Sequence, residues 1–290
     1  MNVLVTGANG LLGRQLCIEL SEHHRVFALV HAQVNNPVAN VEYITKDLSL
    51  RVDVNSLPKN IDAVFHLAQS AYFRDFPGGT RDTFQVNTSS TLDLLEYCRI
   101  ANGRQFFLAS TGGVYGGQIG PISEAGSLIP PSDISFYFAS KLASEMFSST
   151  YRQVFDVTVL RFFFMYGPRQ RQDMFLPRLI NRVKNGEVIS ISPEGGIRLN
   201  PIYVDDVAQL LNSFLGKQMP QTMNIGGPDI VSIREIAEQI GKLVLCEPVW
   251  DIGEKSPDII ADTSVMNRFL GEAKLTSMNN GLEALIKSIK

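Results

Sequence analysis

The sequence predicts an α/β protein: a doubly wound parallel sheet with a smaller C-terminal α/β lobe. Three observations carry this reading. Short runs, apolar on both faces, alternate with helical patterns through the first 165 residues. Glycines at 7, 10 and 13 punctuate the passage from the first strand to the first helix. Beyond Gly167-Pro168 the alternation becomes irregular. Strands covered on both faces by helices are the signature of parallel βαβ units, which are wound right-handed. The expected division is residues 1–165 for the main sheet and 166–290 for the smaller lobe, with some elements of the second part returning to the sheet.

The first strand is expected at residues 2–6 (NVLVT), running through TGANGLLG at 6–13 into a helix at 11–21. A strand that turns through three glycines into a helix is the context of a dinucleotide-binding fingerprint. Gly7 permits the tight turn. Gly10 leaves room for a pyrophosphate near the backbone, and Gly13 lets the helix pack closely on the strand. The amides around Asn9, Leu11 and Leu12 then open a helix whose positive end suits phosphates. Further strands are expected at 25–30, 41–43, 63–67, 105–109 and 157–162, and helices at 81–100 and 137–155. Residues 69–80 and 116–135, rich in Gly, Pro and Ser, read as loops near the strand ends, where ligands gather in such sheets. In the last third, helices are expected at 174–184, 204–215, 232–244, 264–270 and 282–289, with strands at 188–191 and 222–225. Ser232 followed three residues later by Glu235 reads as a capping box.

Composition narrows the function. Hydrophobic residues make up 44% of the 290 residues, enough for a large core, and charged residues only 19%, which argues against disorder. A net charge of −3 gives no electrostatic reason to expect nucleic acid. No apolar run reaches the roughly eighteen residues of a membrane span. Met1 leads directly into the first strand, so no signal peptide is expected. Cys17, Cys98 and Cys246 show neither disulfide nor metal spacing and read as buried hydrophobes of a reducing, cytoplasmic compartment. His23, His24, His31 and His66 form no ligand pair, so no metal is expected.

Two clusters can do chemistry. Tyr137 and Lys141 are one helical turn apart, so phenol and ammonium project from one face. A cation beside a phenol favours phenolate and lowers its pKa from about 10, making Tyr137 a general acid/base. Ser110 and Thr111 sit at the tip of a strand, where a hydroxyl either bonds a substrate oxygen or serves the turn. At the end of another strand, His66, Leu67, Ala68 and Gln69 lie where a cofactor belongs, and Ala68 is small enough to let a ribose or nicotinamide approach. Asn87, inside the predicted helix 81–100, is unfavourable there unless exposed or given a task.

The ordered set resembles an extended short-chain dehydrogenase/reductase of the sort that includes the NAD-dependent sugar epimerases and dehydratases. It comprises TGANGLLG (6–13), Asp47-Leu48, HLA (66–68), Asn87, STGGVYG (110–116) and YFASK (137–141). It continues with LRFFFMYGPR (160–169), IYVDDVA (202–208) and MNIGG (223–227). The resemblance implies a Rossmann domain, Tyr137 as acid/base, Lys141 lowering its pKa and holding the nicotinamide ribose, and Thr111 rather than Ser110 as the active hydroxyl. It implies that Asp47 contacts the adenine, that Leu48, Leu67, Asn87 and Ala109 line the cofactor, and that Phe162 to Phe164 lie near the nicotinamide. It also implies a homodimer through a four-helix bundle of residues 81–100 and 137–155.

Three departures refine this. Sugar dehydratases of the family carry Asp-Glu where this chain has Gly112-Gly113, which disfavours elimination. The expected acid after the second strand is replaced by His31-Ala-Gln33, leaving NAD and NADP both open. The arginine that often grips a nucleotide-sugar diphosphate is Leu199 here, with Arg198 one step away; Arg169 and Arg171 are further anion-binding candidates. The reading favoured is a nucleotide-sugar epimerase. A reductase of a non-nucleotide carbonyl and a non-catalytic cofactor-binding regulator are the alternatives.

Overall fold

The computed structural model describes residues 1–254, 256–271 and 273–289. In chain order the first elements are β1 (Asn2–Thr6), α1 (Leu11–Ser21), β2 (Arg25–Val30), β3 (Val41–Thr45), β4 (Ala63–His66), α2 (Thr80–Phe84), α3 (Ser90–Ile100), β5 (Gln105–Thr111), α4 (Phe136–Thr150) and β6 (Asp156–Phe162). There follow β7 (Met165–Tyr166), α5 (Phe175–Lys184), β8 (Val188–Ile191), β9 (Arg198–Leu199), β10 (Ile202–Tyr203), α6 (Val204–Asn212) and β11 (Thr222–Ile225). The last are β12 (Val231–Ser232), α7 (Ile233–Val244), β13 (Val249–Ile252), α8 (Ser264–Asn267) and α9 (Met278–Ser288).

Seven strands make the main sheet in the order β11-β6-β5-β4-β1-β2-β3. β1 lies between β2 and β4 and runs parallel to both, so the direction of winding reverses beside it. That reversal is the topological switch point at which doubly wound sheets bind ligands. Thr6 and His66 are in register, and the chains leaving β1 and β4 therefore emerge side by side. The strands read as apolar runs because both faces are covered: β4 is buried throughout and β2 everywhere but at Arg25. Phe65 stacks on Phe107 with ring centroids 4.5 Å apart; their strand neighbours Val64 and Phe106 point to the other face, where Leu4, Leu94 and Val159 pack with them. Each such side chain contributes about 1.5–3 kcal/mol by leaving water.

The chain forms two compact units, each discontinuous in sequence. One comprises Met1–Val114, Leu128–Arg161 and Ala208–Met223; the other comprises Tyr115–Ser127, Phe162–Val207 and the chain from Asn224 onward. The second unit has its own core, with Tyr166, Leu179, Ile180, Ile189, Ile236, Ile240 and Leu282 buried together and α5 packed on α7. The capping box at α7 forms as the spacing requires: Glu235 N donates to Ser232 Oγ (3.2 Å) and Ser232 N donates to Glu235 Oε2 (2.7 Å).

Several boundaries differ from the sequence reading. β3 runs on to Thr45 because Thr45 pairs with Val30. The helix expected over 81–100 is split by a π turn at Gln85–Ser89, where the Asn87 carbonyl accepts the hydroxyls of Thr91 (2.6 Å) and Ser144 (2.7 Å). α4 stops at Thr150 and a 3₁₀ turn, Tyr151–Gln153, completes the segment. The short pairs β7–β10, β9–β12 and β8–β13 have no periodicity long enough to read.

Candidate active site

The glycine turn is fixed by contacts that a side chain would break. Gly7 has φ +64°, and a Cβ there would lie 2.9 Å from Ala68 N and Cα. A Cβ at Gly13 would sit 2.2 Å from the Gly7 carbonyl oxygen, so α1 approaches β1 as closely as backbone allows. Gly10 caps α1 without any side-chain hydrogen bond, and the opening amides of Leu11, Leu12 and Gly13 begin the helix beside exposed Asn9 and Gly10. Such a helix start suits an anionic group. The turn therefore fits the pyrophosphate of a dinucleotide.

Beneath the turn, one arrangement of protons satisfies a buried network. Thr6 Oγ1 accepts the amides of Leu67 and Ala68, each at 3.1 Å. Its single proton then goes to His66 Nδ1, 2.8 Å away. His66 must carry its own proton on Nε2, which donates to Thr91 Oγ1 at 3.0 Å, while Thr91 donates onward to the Asn87 carbonyl. The imidazole is thus a neutral positioning group for the floor of the glycine turn. Burial, assisted by the charge of Lys141, pulls its pKa down to about 3. The sign follows: the unfolded chain binds the proton near pH 6.5 and the folded chain only near 3, so stability is complete above 6.5 and drains as pH falls through that window. Between pH 6.5 and 4 the wild type is expected to lose up to about 3 kcal/mol that His66→Asn does not lose. Urea unfolding of both proteins at the two pH values tests this; equal losses would refute it.

Tyr137 opens α4 behind the Ser135 N-cap, whose hydroxyl accepts Phe138 N (3.3 Å). The phenol donates to Gln69 Oε1 at 2.9 Å, and its ring lies 4.9 Å from that of Phe73. Burial raises the phenol's pKa, against the opposing pull of the Thr111 hydroxyl and the Arg74 charge. The sequence led us to expect a lowered value; in the chain by itself, desolvation outweighs the favourable partners and the group is a protonated acid. Lys141, buried, donates Nζ to the Ala109 carbonyl at 3.1 Å, and burial pulls its pKa down to about 8. Arg74, whose guanidinium sits 4.9 Å over the Phe73 ring, was not found from sequence. A cation next to an aromatic in a loop carries no spacing signal.

Ser110 and Thr111 have separate tasks. Ser110 Oγ donates to Glu145 Oε1, and Glu145 is ion-paired with Arg161 at 2.6 Å, all three buried. Ser110 therefore ties β5, α4 and β6 together, whereas Thr111 at the strand tip acts on the phenol. Neither Glu145 nor Arg161 stood out in the sequence, since a helix glutamate normally faces solvent. Asn87 is buried with its amide committed: Oδ1 accepts Ser70 N and Nδ2 donates to Ser140 Oγ, both at 3.0 Å. It has the task that its mid-helix place demanded, joining the loop after β4 to α4.

The remaining predicted residues sit as follows. Leu48 and Ala68 are buried, Leu67 is half-buried, and His31 and Asp47 are exposed. The Ser49 hydroxyl and amide hold the Asp47 carboxyl below its usual range. In the second unit, Phe162 and Phe164 are half-buried; Phe164 has φ +45° and packs edge-on against Phe175 at 6.0 Å. Arg198 grips Asp258 through Nε (3.0 Å) and Nη2 (2.9 Å). Leu199, where the family resemblance led us to look for an arginine, is fully buried. Gly113 is also constrained: a Cβ there would lie 2.2 Å from the Phe138 ring.

Comparison with known proteins identifies the family. YtcB of Bacillus subtilis (strain 168), described as an uncharacterised UDP-glucose epimerase, is 32% identical over 306 aligned positions covering 97% of this chain and 96% of that protein. The crystal structure of UDP-glucuronic acid 4-epimerase from Bacillus cereus, in complex with UDP-glucuronic acid and NAD, matches with a TM-score of 0.85 at 27% identity, covering 100% of this chain and 99% of that one. UDP-glucose 4-epimerase from Thermotoga maritima, with UDP-glucose, matches at 0.84 and 25% identity, covering 100% and 98%. The family model described as NAD dependent epimerase/dehydratase matches residues 3–226, and the chain belongs to that family.

Proposed function

We propose that the protein is an NAD(P)-dependent 4-epimerase of a UDP-sugar, with Tyr137 as its acid/base. The observation that carries epimerisation over dehydration is at Gly112-Gly113. The Phe138 ring occupies the space into which a side chain at 113 would project, so the acid pair of a dehydratase is absent and its second place is filled. Among the relatives, the names and bound ligands of the UDP-sugar 4-epimerases support the substrate class.

The cofactor would be held by Gly7, Asn9, Gly10, Leu11, Leu12 and Gly13 at the phosphates, by His31, Asp47 and Leu48 at the adenosine, and by Leu67, Ala68, Gln69, Asn87, Ala109, Lys141 and Phe162 toward the nicotinamide. That ring supplies the acceptance and return of the carbon-bound hydrogen. Tyr137 Oη, ionised to phenolate once the site is loaded, takes the proton of the sugar hydroxyl as the carbonyl forms and returns it when the opposite face is reduced. Thr111 holds the same oxygen by hydrogen bond. The Lys141 ammonium would favour the phenolate that must be present before this proton is taken and that forms again when it is returned. Phe164 and Arg198 are the proposed substrate contacts in the second unit. Incubation with UDP-glucose and UDP-glucuronate, followed by proton NMR, should show the C4 epimer with no net consumption of cofactor. Absence of any epimer, or steady oxidation of NADPH by simple carbonyls, would sink the reading; the latter outcome is that of the reductase alternative.

The three free thiols support a cytoplasmic location, and no described helix is long and apolar enough to cross a membrane. A homodimer is proposed through α2, α3 and α4, where Phe84 (48%), Leu92 (45%), Met146 (69%) and Phe147 (45%) stand exposed. Replacing Met146 and Phe147 together by glutamate is expected to convert a dimer to a monomer in light scattering. An unchanged mass would remove this surface from the interface.

A further inference from the structure

The adenosine end of the cofactor site departs from what an NAD-specific chain requires. β2 ends at Val30, and the next three residues, His31, Ala32 and Gln33, are exposed and carry no carboxylate. In dinucleotide folds an acid near this place bonds the ribose 2′-hydroxyl and repels a 2′-phosphate, while a nearby arginine accommodates that phosphate. The chain supplies the arginine. Arg14 lies in the first turn of α1, its amide bonded to the Gly10 carbonyl at 3.1 Å. Its Nη1 donates to the Asn36 carbonyl at 2.7 Å, so the guanidinium is held against the segment that follows β2. That bond takes one of five N–H donors. The acid of this edge, Asp47, follows β3 rather than β2; its carboxylate accepts Ser49 N at 2.8 Å and lies within electrostatic reach of His31.

We infer that the adenosine end of this site accepts a 2′-phosphate, with Arg14 and His31 as its ligands, so that the protein binds NADP at least as well as NAD. The inference rests on the cofactor site proposed above and concerns only which dinucleotide fills it. A guanidinium fixed at its far end loses little freedom on meeting phosphate and forms charge-assisted hydrogen bonds there. Nothing in the segment 31–33 opposes the added charge.

Calorimetric titration of the nucleotide-free full chain with NAD⁺ and NADP⁺ tests this without any turnover. NADP⁺ should bind at least as tightly as NAD⁺. Arg14→Gln should weaken NADP⁺ about tenfold or more, the worth of one charge-assisted contact, and leave NAD⁺ within about threefold. His31→Asp should restore the repelling acid, reversing the preference toward NAD⁺. The inference is overturned if wild type binds NAD⁺ measurably more tightly than NADP⁺, or if Arg14→Gln changes both nucleotides alike or neither. Binding of neither nucleotide would remove the proposed function along with it, whereas binding of NAD⁺ alone would remove only this inference.

Discussion

Tyr137→Phe is expected to lower the epimerisation rate by about 10³-fold, within the range that a positioned acid/base supplies, and to leave cofactor affinity within about twofold. The phenol oxygen is the atom that donates to Gln69 and meets the Thr111 hydroxyl. Removing it deletes the proton carrier and spares the ring contact with Phe73. Burial keeps the phenol protonated in the isolated chain. Charge brought close by bound ligands has to bring its pKa down, and the residual rate of the variant measures what remains without it. A variant that kept more than about a tenth of the rate would remove Tyr137 from the chemistry. Steady-state rates beside calorimetric affinities separate the two effects.

Gly13→Ala carries the second large effect. The added methyl would lie 2.2 Å from the Gly7 carbonyl oxygen and 2.7 Å from its carbon, both backbone atoms. No side chain can swing aside, so α1 must move away from β1. Overpacking of this sort costs about 1–3 kcal/mol. The displacement also shifts the amides of Leu11 and Leu12, so dinucleotide affinity is expected to fall by about 100-fold or more, since phosphate binding at a helix start depends on those amides. Thermal unfolding and dinucleotide titration on the same sample check both parts. Tight binding by a destabilised variant would show that the glycine serves packing alone.

These two residues show what a sequence reveals. Gly13 was legible because its work is local: a Cβ there would strike the preceding turn. Tyr137 was singled out by the lysine one turn on, but Lys141 donates to the Ala109 carbonyl, and the groups acting on the phenol are Thr111 and Arg74. The doubly wound sheet was legible for the same reason as Gly13, because strands covered on both faces must be apolar throughout. Long-range partners were not. Nothing near Gln69 in sequence announces that it accepts the proton of Tyr137, and Arg74 acts on the phenol from a loop with no periodicity. Glu145 reads as an ordinary helix acid until Arg161 and Ser110 are seen closing on it. The π turn at Gln85–Ser89 was hidden because its cause, the carbonyl of Asn87 bonded by Ser144 of another helix, is tertiary. The short strands of the second unit were hidden by length, since two residues carry no period.

The central claim is that Tyr137 moves a proton on oxygen while the carbon-bound hydrogen of the sugar never meets solvent. Epimerisation of a UDP-sugar in deuterium oxide, read by proton NMR, tests it most directly. The account predicts a C4 epimer whose sugar carbons carry no deuterium, and next to none of that product from Tyr137→Phe. Deuterium at an epimerised carbon would mean that a C–H proton is exchanged through an acidic intermediate, and would contradict it.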